Sequence, residues 1–279
     1  MADPIGWRWT SGDGRRRWTA QMDLMRSAGA RFAWAVACAW FALTGCAAEP
    51  ETPPLPPPPD RVGVSASLEG FALVKMAAYA QSVGVPPFDL EVWPTTEAFK
   101  AAEDGRLQLL VSAGPPLPGW FATPLGFEGI AIIVNPAVPV RQLTLRQLGD
   151  LFSGGVQTWE EVEGAGEPVR LVIPPPGDEL RRQFETMVLG GRRFPPTAVL
   201  APLPAAMVTL VGEIQGAIGF LPFSSTPEGA HVISVDGEAP SWPNLRQEGY
   251  ALRFEVIATA PAEPHDGTRD WLAWLQEQE

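Results

Sequence analysis

Beyond residue 46 the sequence holds no cysteine. Its two, Cys38 and Cys46, both lie in an apolar stretch near the N-terminus. The remainder of the chain therefore has no disulfide, no thiol nucleophile and no cysteine metal ligand. Histidine is as scarce: His231 and His265 stand alone in Gly/Pro-rich surroundings without zinc-type spacing, so no metal and no other cofactor is expected. Positive charge is also short. Twenty Lys and Arg against 32 Asp and Glu give a net charge of −12, which excludes a general surface for nucleic acid or anionic membrane. A small anion is still permitted, because a local nest of backbone N–H groups outweighs a distant field. No Ser–His or Cys–His constellation is recognisable, and the Gly-Asp-Glu-Leu run at 177–180 is no nucleophile elbow, so a binding role is expected rather than an enzyme.

What is present begins with an address. After Arg26 and Arg31, residues 32–45 read FAWAVACAWFALTG, fourteen residues without charge. A membrane span needs about 20 apolar residues and a signal-peptide core roughly 7–15, so this stretch has signal-peptide length. It ends in Leu43-Thr44-Gly45-Cys46, which resembles a bacterial lipobox, with Cys46 as the lipidated residue. The rival reading is a buried helix with an incidental cysteine. Residues 1–24 precede the unit; a start at Met22 or Met25 gives a more ordinary signal, and Arg15-Arg16-Arg17 leaves a twin-arginine signal open. Removing residues 1–45 takes six Arg and three Asp, leaving 234 residues at −15. Ala47–Asp60 (AAEPETPPLPPPPD) is a polyproline II spacer behind an anchor, or else a Pro-rich recognition motif.

From Arg61 strands and helices alternate, which means α/β. Strands are expected at Val62–Ala66, Leu90–Trp93, Leu107–Val111, Ile130–Val134, Val169–Ile173, Ala217–Leu221 and Leu252–Ala258. Helices are expected from an N-cap at Ser67 to Ala80, from Thr95/Thr96 to Asp104, after Thr144 up to Gly154-Gly155, from Asp178 to Gly190-Gly191, over Ala205–Gln215 and over Asp270–Gln276.

Several segments in consistent order resemble the phosphate-binding-protein family of type 2 periplasmic binding proteins. Ile132–Gly164 carries Val-Asn-Pro, a Leu-Thr helix start, Phe-Ser-Gly and a following Trp. Gly177–Glu185 (GDELRRQFE) and Gly216–Leu221 (GAIGFL) follow, then Gly249-Tyr250-Ala251-Leu252. The resemblance spans Arg61–Glu279. It implies a two-lobed α/β fold with an interlobe cleft and a double-crossing hinge. Lobe one would hold 61–133 and 228–279, lobe two 134–227, with crossings at Val134-Asn135-Pro136 and Pro222–Pro227. The implied function is that of an extracytoplasmic, membrane-anchored monomer that carries a small solute, with an oxyanion among the candidates, to an ABC transporter permease.

The resemblance also places the ligand site, at Ser65, Ser67, Ser112, Gly177, Asp178 and Arg181. Ser67 and Ser112 match family serines, and Gly177 and Arg181 survive from the family's Gly-Ser-Gly-Thr-Arg start. Asp178-Glu179-Leu180 replaces its Ser-Gly-Thr. Carboxylates there repel an anion and cap the N–H groups that would hold it. A solute other than phosphate is therefore expected; the rival class is an accessory or sensory lipoprotein that kept the fold and lost the ligand.

Overall fold

The computed structural model describes residues 7–12, 15–20, 60–86, 88–164 and 166–278. The lipobox, Cys46 and the Pro-rich spacer lie outside the described residues. Among the described residues no helix is long and apolar enough to cross a membrane.

The first half of the molecule is a sheet in the order β1-β2-β4-β3-β5-β12-β6. Its strands are β1 (Trp7–Gly12), β2 (Arg15–Ala20), β3 (Asp60–Ser65), β4 (Phe88–Trp93), β5 (Leu109–Ser112), β6 (Phe121–Val134) and β12 (Arg253–Ala260). Strands β3, β4 and β5 run parallel, joined by α1 (Glu69–Ser82) and α2 (Thr95–Glu103), as buried parallel strands require. β1 and β2 form a hairpin whose second strand pairs with β4.

The second half continues from the far end of β6. Residues 121–129 of this strand pair with β12, whereas 130–134 pair with β10 (Ala217–Pro222). β8 (Arg170–Ile173) and β9 (Val199–Leu200) extend this side, while β11 (Val232–Val235) pairs with β6 and with β7 (Gln142–Leu143). Strand β6 is thus shared, and its change of partner falls between Gly129 and Ile130, earlier than the Val134–Pro136 crossing expected from sequence. Residues 223–225 pack against α1, but β11 beyond them returns to the second half's strands. Tyr250 donates its hydroxyl to the Ile130 carbonyl at 2.8 Å, pinning the exchange point from β12's approach.

Around this half lie α3 (Leu145–Phe152), α4 (Glu179–Phe184) with a π turn over 185–189, and α5 (Pro204–Glu213); α6 (Trp242–Arg246) and α7 (Asp266–Gln276) follow β11 and β12. Helix α3 starts on a capping box: Thr144 Oγ1 accepts from Gln147 N, and Gln147 Oε1 accepts from Thr144 N. Its apolar face delivers Phe152 against Phe184, Phe194 and Phe220, with centroids 4.7, 6.2 and 5.6 Å away. Such ring contacts add about 0.5–1.5 kcal/mol each beyond area burial. That cluster fixes α4, and α4 carries the site.

The first and last helices start differently from expectation. Helix α1 begins at Glu69 with Leu68 as N-cap and no side-chain cap, so Ser67 does not cap it. The last helix begins earlier than Asp270, at Asp266.

Candidate functional site

The C-terminal ends of β3 and β5 bring Ser65, Ser67 and Ser112 together on the first half, at 3%, 4% and 1% exposure. Facing them from the second half is the turn Pro174–Gly177 and the start of α4. Gly177 takes a left-handed φ of 88°, a conformation that strains any residue with a Cβ, and so aims the next two residues at the serines.

Those two residues are acids, and they accept what the serines donate. Ser65 Oγ donates to Glu179 Oε2 at 2.8 Å, and Ser67 Oγ donates to Asp178 Oδ2 at 2.6 Å. The backbone N–H of Ala113 lies 3.4 Å from Glu179 Oε1. Asp178 also N-caps α4 through Arg181 N at 3.1 Å. Gln183 ties the same surfaces together, donating to the Ala113 carbonyl at 2.5 Å. Among the described residues Ser112 Oγ is buried without a hydrogen-bond partner. The two halves are therefore joined, through hydroxyls and an amide, by carboxylates of the chain itself.

Glu179 is 1% exposed. Burial pushes its carboxyl above the usual range, opposed by Ser65, the Ala113 N–H and Arg182, and reinforced by the neighbouring Asp178 charge. Arg182 stands 3.7 Å away and is half exposed, so its help is screened. The space left beside Ser67 and Asp178 is about 10 Å³, at the limit for one water. Next to it a cleft of about 320 Å³ runs between Trp93–Thr96 and Pro175–Asp178, with Leu203 behind.

Of the residues marked from sequence, Ser65, Ser67, Ser112, Gly177 and Asp178 converge here. Arg181 does not. Its guanidinium donates to Glu185 at 2.9 Å and to the Pro174 carbonyl at 3.1 Å, and lies 4.8 Å above the Phe194 ring. Glu179 is the residue that sequence reasoning left out of the site, having weighed it only as a repulsive neighbour. Among the described residues no group of three His, Cys, Asp or Glu is placed to hold a metal.

Residues 61–277 match the PBP superfamily domain. The Bacillus subtilis (strain 168) phosphate-binding protein PstS is 24% identical over 152 residues, which cover 54% of this chain and 50% of that protein. A Clostridium perfringens protein solved with bound phosphate, named as a phosphate ABC transporter substrate-binding protein, superposes with a TM-score of 0.68 at 19% identity, over 77% of this chain and 92% of the other. The Vibrio cholerae ABC-type phosphate transport receptor gives a TM-score of 0.61 at 23% identity, over 78% and 93%. The architecture is the type 2 periplasmic-binding fold.

Proposed function

The chain belongs to the PBP superfamily, and on that premise we propose an extracytoplasmic, lipid-anchored solute-binding protein of an ABC importer whose solute is not phosphate. One observation carries this reading: the oxyanion donors Ser65, Ser67 and the Ala113 N–H already bond to Glu179 and Asp178. An incoming phosphate must displace both carboxylates or lie beside them. At 4–6 Å each repels it by about 1–4 kcal/mol at surface-like to intermediate dielectric. Losing charged hydrogen bonds costs about 1.5–3 kcal/mol apiece in addition.

The neighbouring cleft of about 320 Å³ supports the carrier role. Both halves line it, so a solute there would couple to their relative motion. Its walls are Trp93, Pro94, Pro175 and Leu203 with the hydroxyls of Thr95 and Thr96, and its one charged lining residue is Asp178. A small neutral or cationic solute with an apolar body suits that lining. The lobes on this reading divide at Gly129/Ile130 and again after β11. The second reading, an accessory or sensory lipoprotein without solute, is favoured by the near-absence of space between Ser67 and Asp178.

Isothermal titration of the purified protein with phosphate tests the central claim. The native site should bind at millimolar concentration or more weakly. Replacing Asp178 by Ser, Glu179 by Gly and Leu180 by Thr should tighten phosphate binding by about a hundredfold or more. Micromolar phosphate binding by the native interlobe site would end this reading. A thermal-shift screen of uncharged and cationic solutes separates carrier from accessory, since a carrier is stabilised by its solute. Cys46→Ala should abolish fatty-acid labelling; persistent labelling would remove the lipid anchor from the proposal.

A further inference from the structure

The second concentration of charge is basic, and the interlobe site draws on it only through the screened 3.7 Å pair of Arg182 with Glu179. Residues 46–279 contain 14 Lys and Arg, and four of them, Arg181, Arg182, Arg192 and Arg193, line one open cleft of about 620 Å³. In a chain of net charge −12 that clustering calls for a reason. Helix α4 supplies the first two. The chain then turns at Gly190-Gly191, both left-handed, and brings the second two back beside them.

The cleft is stiff where stiffness matters. Arg192 is held by the Asp150 carboxylate at 2.7 Å, by Ser153 at 3.4 Å and by the carbonyls of Leu189 and Val188 at 3.1 and 3.3 Å. Gly149 leaves it room: a Cβ there would strike the Arg192 guanidinium. Arg181 is fixed by Glu185, the Pro174 carbonyl and the Phe194 ring. Phe194 itself stacks in the buried aromatic cluster. The other two arginines are freer. Arg182 is 53% exposed in its side chain with only the 3.7 Å pair to Glu179, and Arg193 is exposed. Glu185 is the one acid among the cleft's lining residues, and Asp150 and Glu179 pair with Arg192 and Arg182 from outside the lining, so the four arginines and their paired carboxylates together carry a net charge of about +1.

We propose that this cleft is a second binding site, specific for a short multivalent phosphate anion. Guanidinium forks pair bidentately with phosphate oxygens; those of Arg181 and Arg192 are taken up by Glu185, Asp150 and backbone carbonyls, so the freer Arg182 and Arg193 make the direct contacts while the fixed pair lines the wall. The strongly acidic remainder of the molecule sets the size. In the cleft the four arginines outnumber the three carboxylates paired with them; beyond a Debye length of about 8–10 Å a long polyanion meets net negative charge and is repelled. A di- or triphosphate group satisfies both conditions. The same chemistry is offered by a lipid phosphate headgroup, and the experiment separates the two sources.

Tripolyphosphate is titrated calorimetrically into the native protein at low ionic strength, into Arg193→Gln, and into Arg182→Gln/Arg193→Gln. Both changed residues are exposed, and a thermal melt checks that each variant folds. Micromolar binding should weaken about tenfold in the single variant, further in the double, and fall as sodium chloride is raised. In parallel, vesicles of phosphatidic acid in phosphatidylcholine are co-sedimented with the same proteins. Arginine-dependent vesicle binding without tripolyphosphate binding assigns the anion to a lipid headgroup. Absence of binding in both arms overturns the site. So does binding that the double variant leaves unchanged; if that binding is instead lost to inorganic phosphate competition at the interlobe position, the fault lies with the proposed function.

Discussion

The interlobe site and the arginine cleft share one helix and treat charge in opposite ways. At the start of α4, Asp178 and Glu179 are drawn into the junction and their oxygens are spent on Ser65, Ser67 and the Ala113 amide. A few residues on, Arg182 and Arg193 stay in contact with water. Solvent access is what separates the two. A buried charge must be paired or neutralised, and whatever it does is coupled to folding; an exposed one is screened, cheap to move and free to meet a ligand. Perturbations of the buried side should therefore be large and insensitive to salt, those of the exposed side small and salt-dependent.

The largest effect is expected at Glu128, a fully buried carboxyl on β6 just before the strand changes partner. Gly129 N and Ser224 N donate to it at 2.7 and 3.3 Å, yet burial outweighs these bonds and raises its pKa from 4.5 to about 7. The folded protein therefore holds a proton that the unfolded chain releases between those values. The associated stability is complete below about pH 4.5 and is lost as pH rises through about 7. Glu128→Gln, which carries no charge at any pH, should be more stable than the native protein at pH 8 by roughly 3 kcal/mol and equal to it near pH 4. Urea melts at both values measure this; parallel pH profiles would show that the buried side is not distinct. Glu179, raised for the same reason, should shift stability in the same direction.

Ser65→Ala comes next. It takes a donor from buried Glu179 and should cost about 1.5–3 kcal/mol, with the same cost at 0.05 and 1 M salt. A cost that vanishes in salt would place the contact in water. Asp178→Ala removes the cap of α4 and the partner of Ser67, and about 1 kcal/mol is expected in a thermal melt. The smallest effect belongs to the exposed side. Asp150→Asn breaks the ion pair with Arg192, both partners being about two-fifths exposed. About 0.2–1 kcal/mol should be lost at low salt and nothing at 1 M, where the Debye length is about 3 Å.

Legibility in the sequence followed the same line between regular and exceptional chemistry. The start of helix α3 could be read to the residue, because the Thr144 cap and the Leu148, Leu151, Phe152 face each obey a local rule. The first half of β6 could not. Pro124, Gly126 and Gly129 interrupt its alternation, and it is held by β12 across a bulge that only the tertiary structure reveals. β11 and α6, at four and five residues, are too short to show a period. At the site, five marked positions converge because the resemblance carried their order along the chain. Arg181 was misplaced because a matched position does not fix a rotamer, and a carboxylate at Glu185 one turn on captured it. The role of Glu179 has the reverse cause. Its charge was legible but its burial was not, and burial turns a repellent neighbour into the group that fills the site.

Gly149 shows how far such dependence reaches. It sits on α3 and contributes no polar side-chain atom to the arginine cleft, yet its bare Cα is what lets Arg192 lie flat. A side chain of any size would meet the guanidinium, and also the Val188 carbonyl, a backbone atom with nowhere to retreat. In mutational terms the two positions are not independent characters. Drift at 149 is closed while Arg192 holds its place, and a descendant that abandoned the cleft would still meet the carbonyl with any Cβ there. Tolerance at position 149 thus records helix packing first and cleft chemistry second, since even the Cβ of Ala meets the Val188 carbonyl as well as the guanidinium.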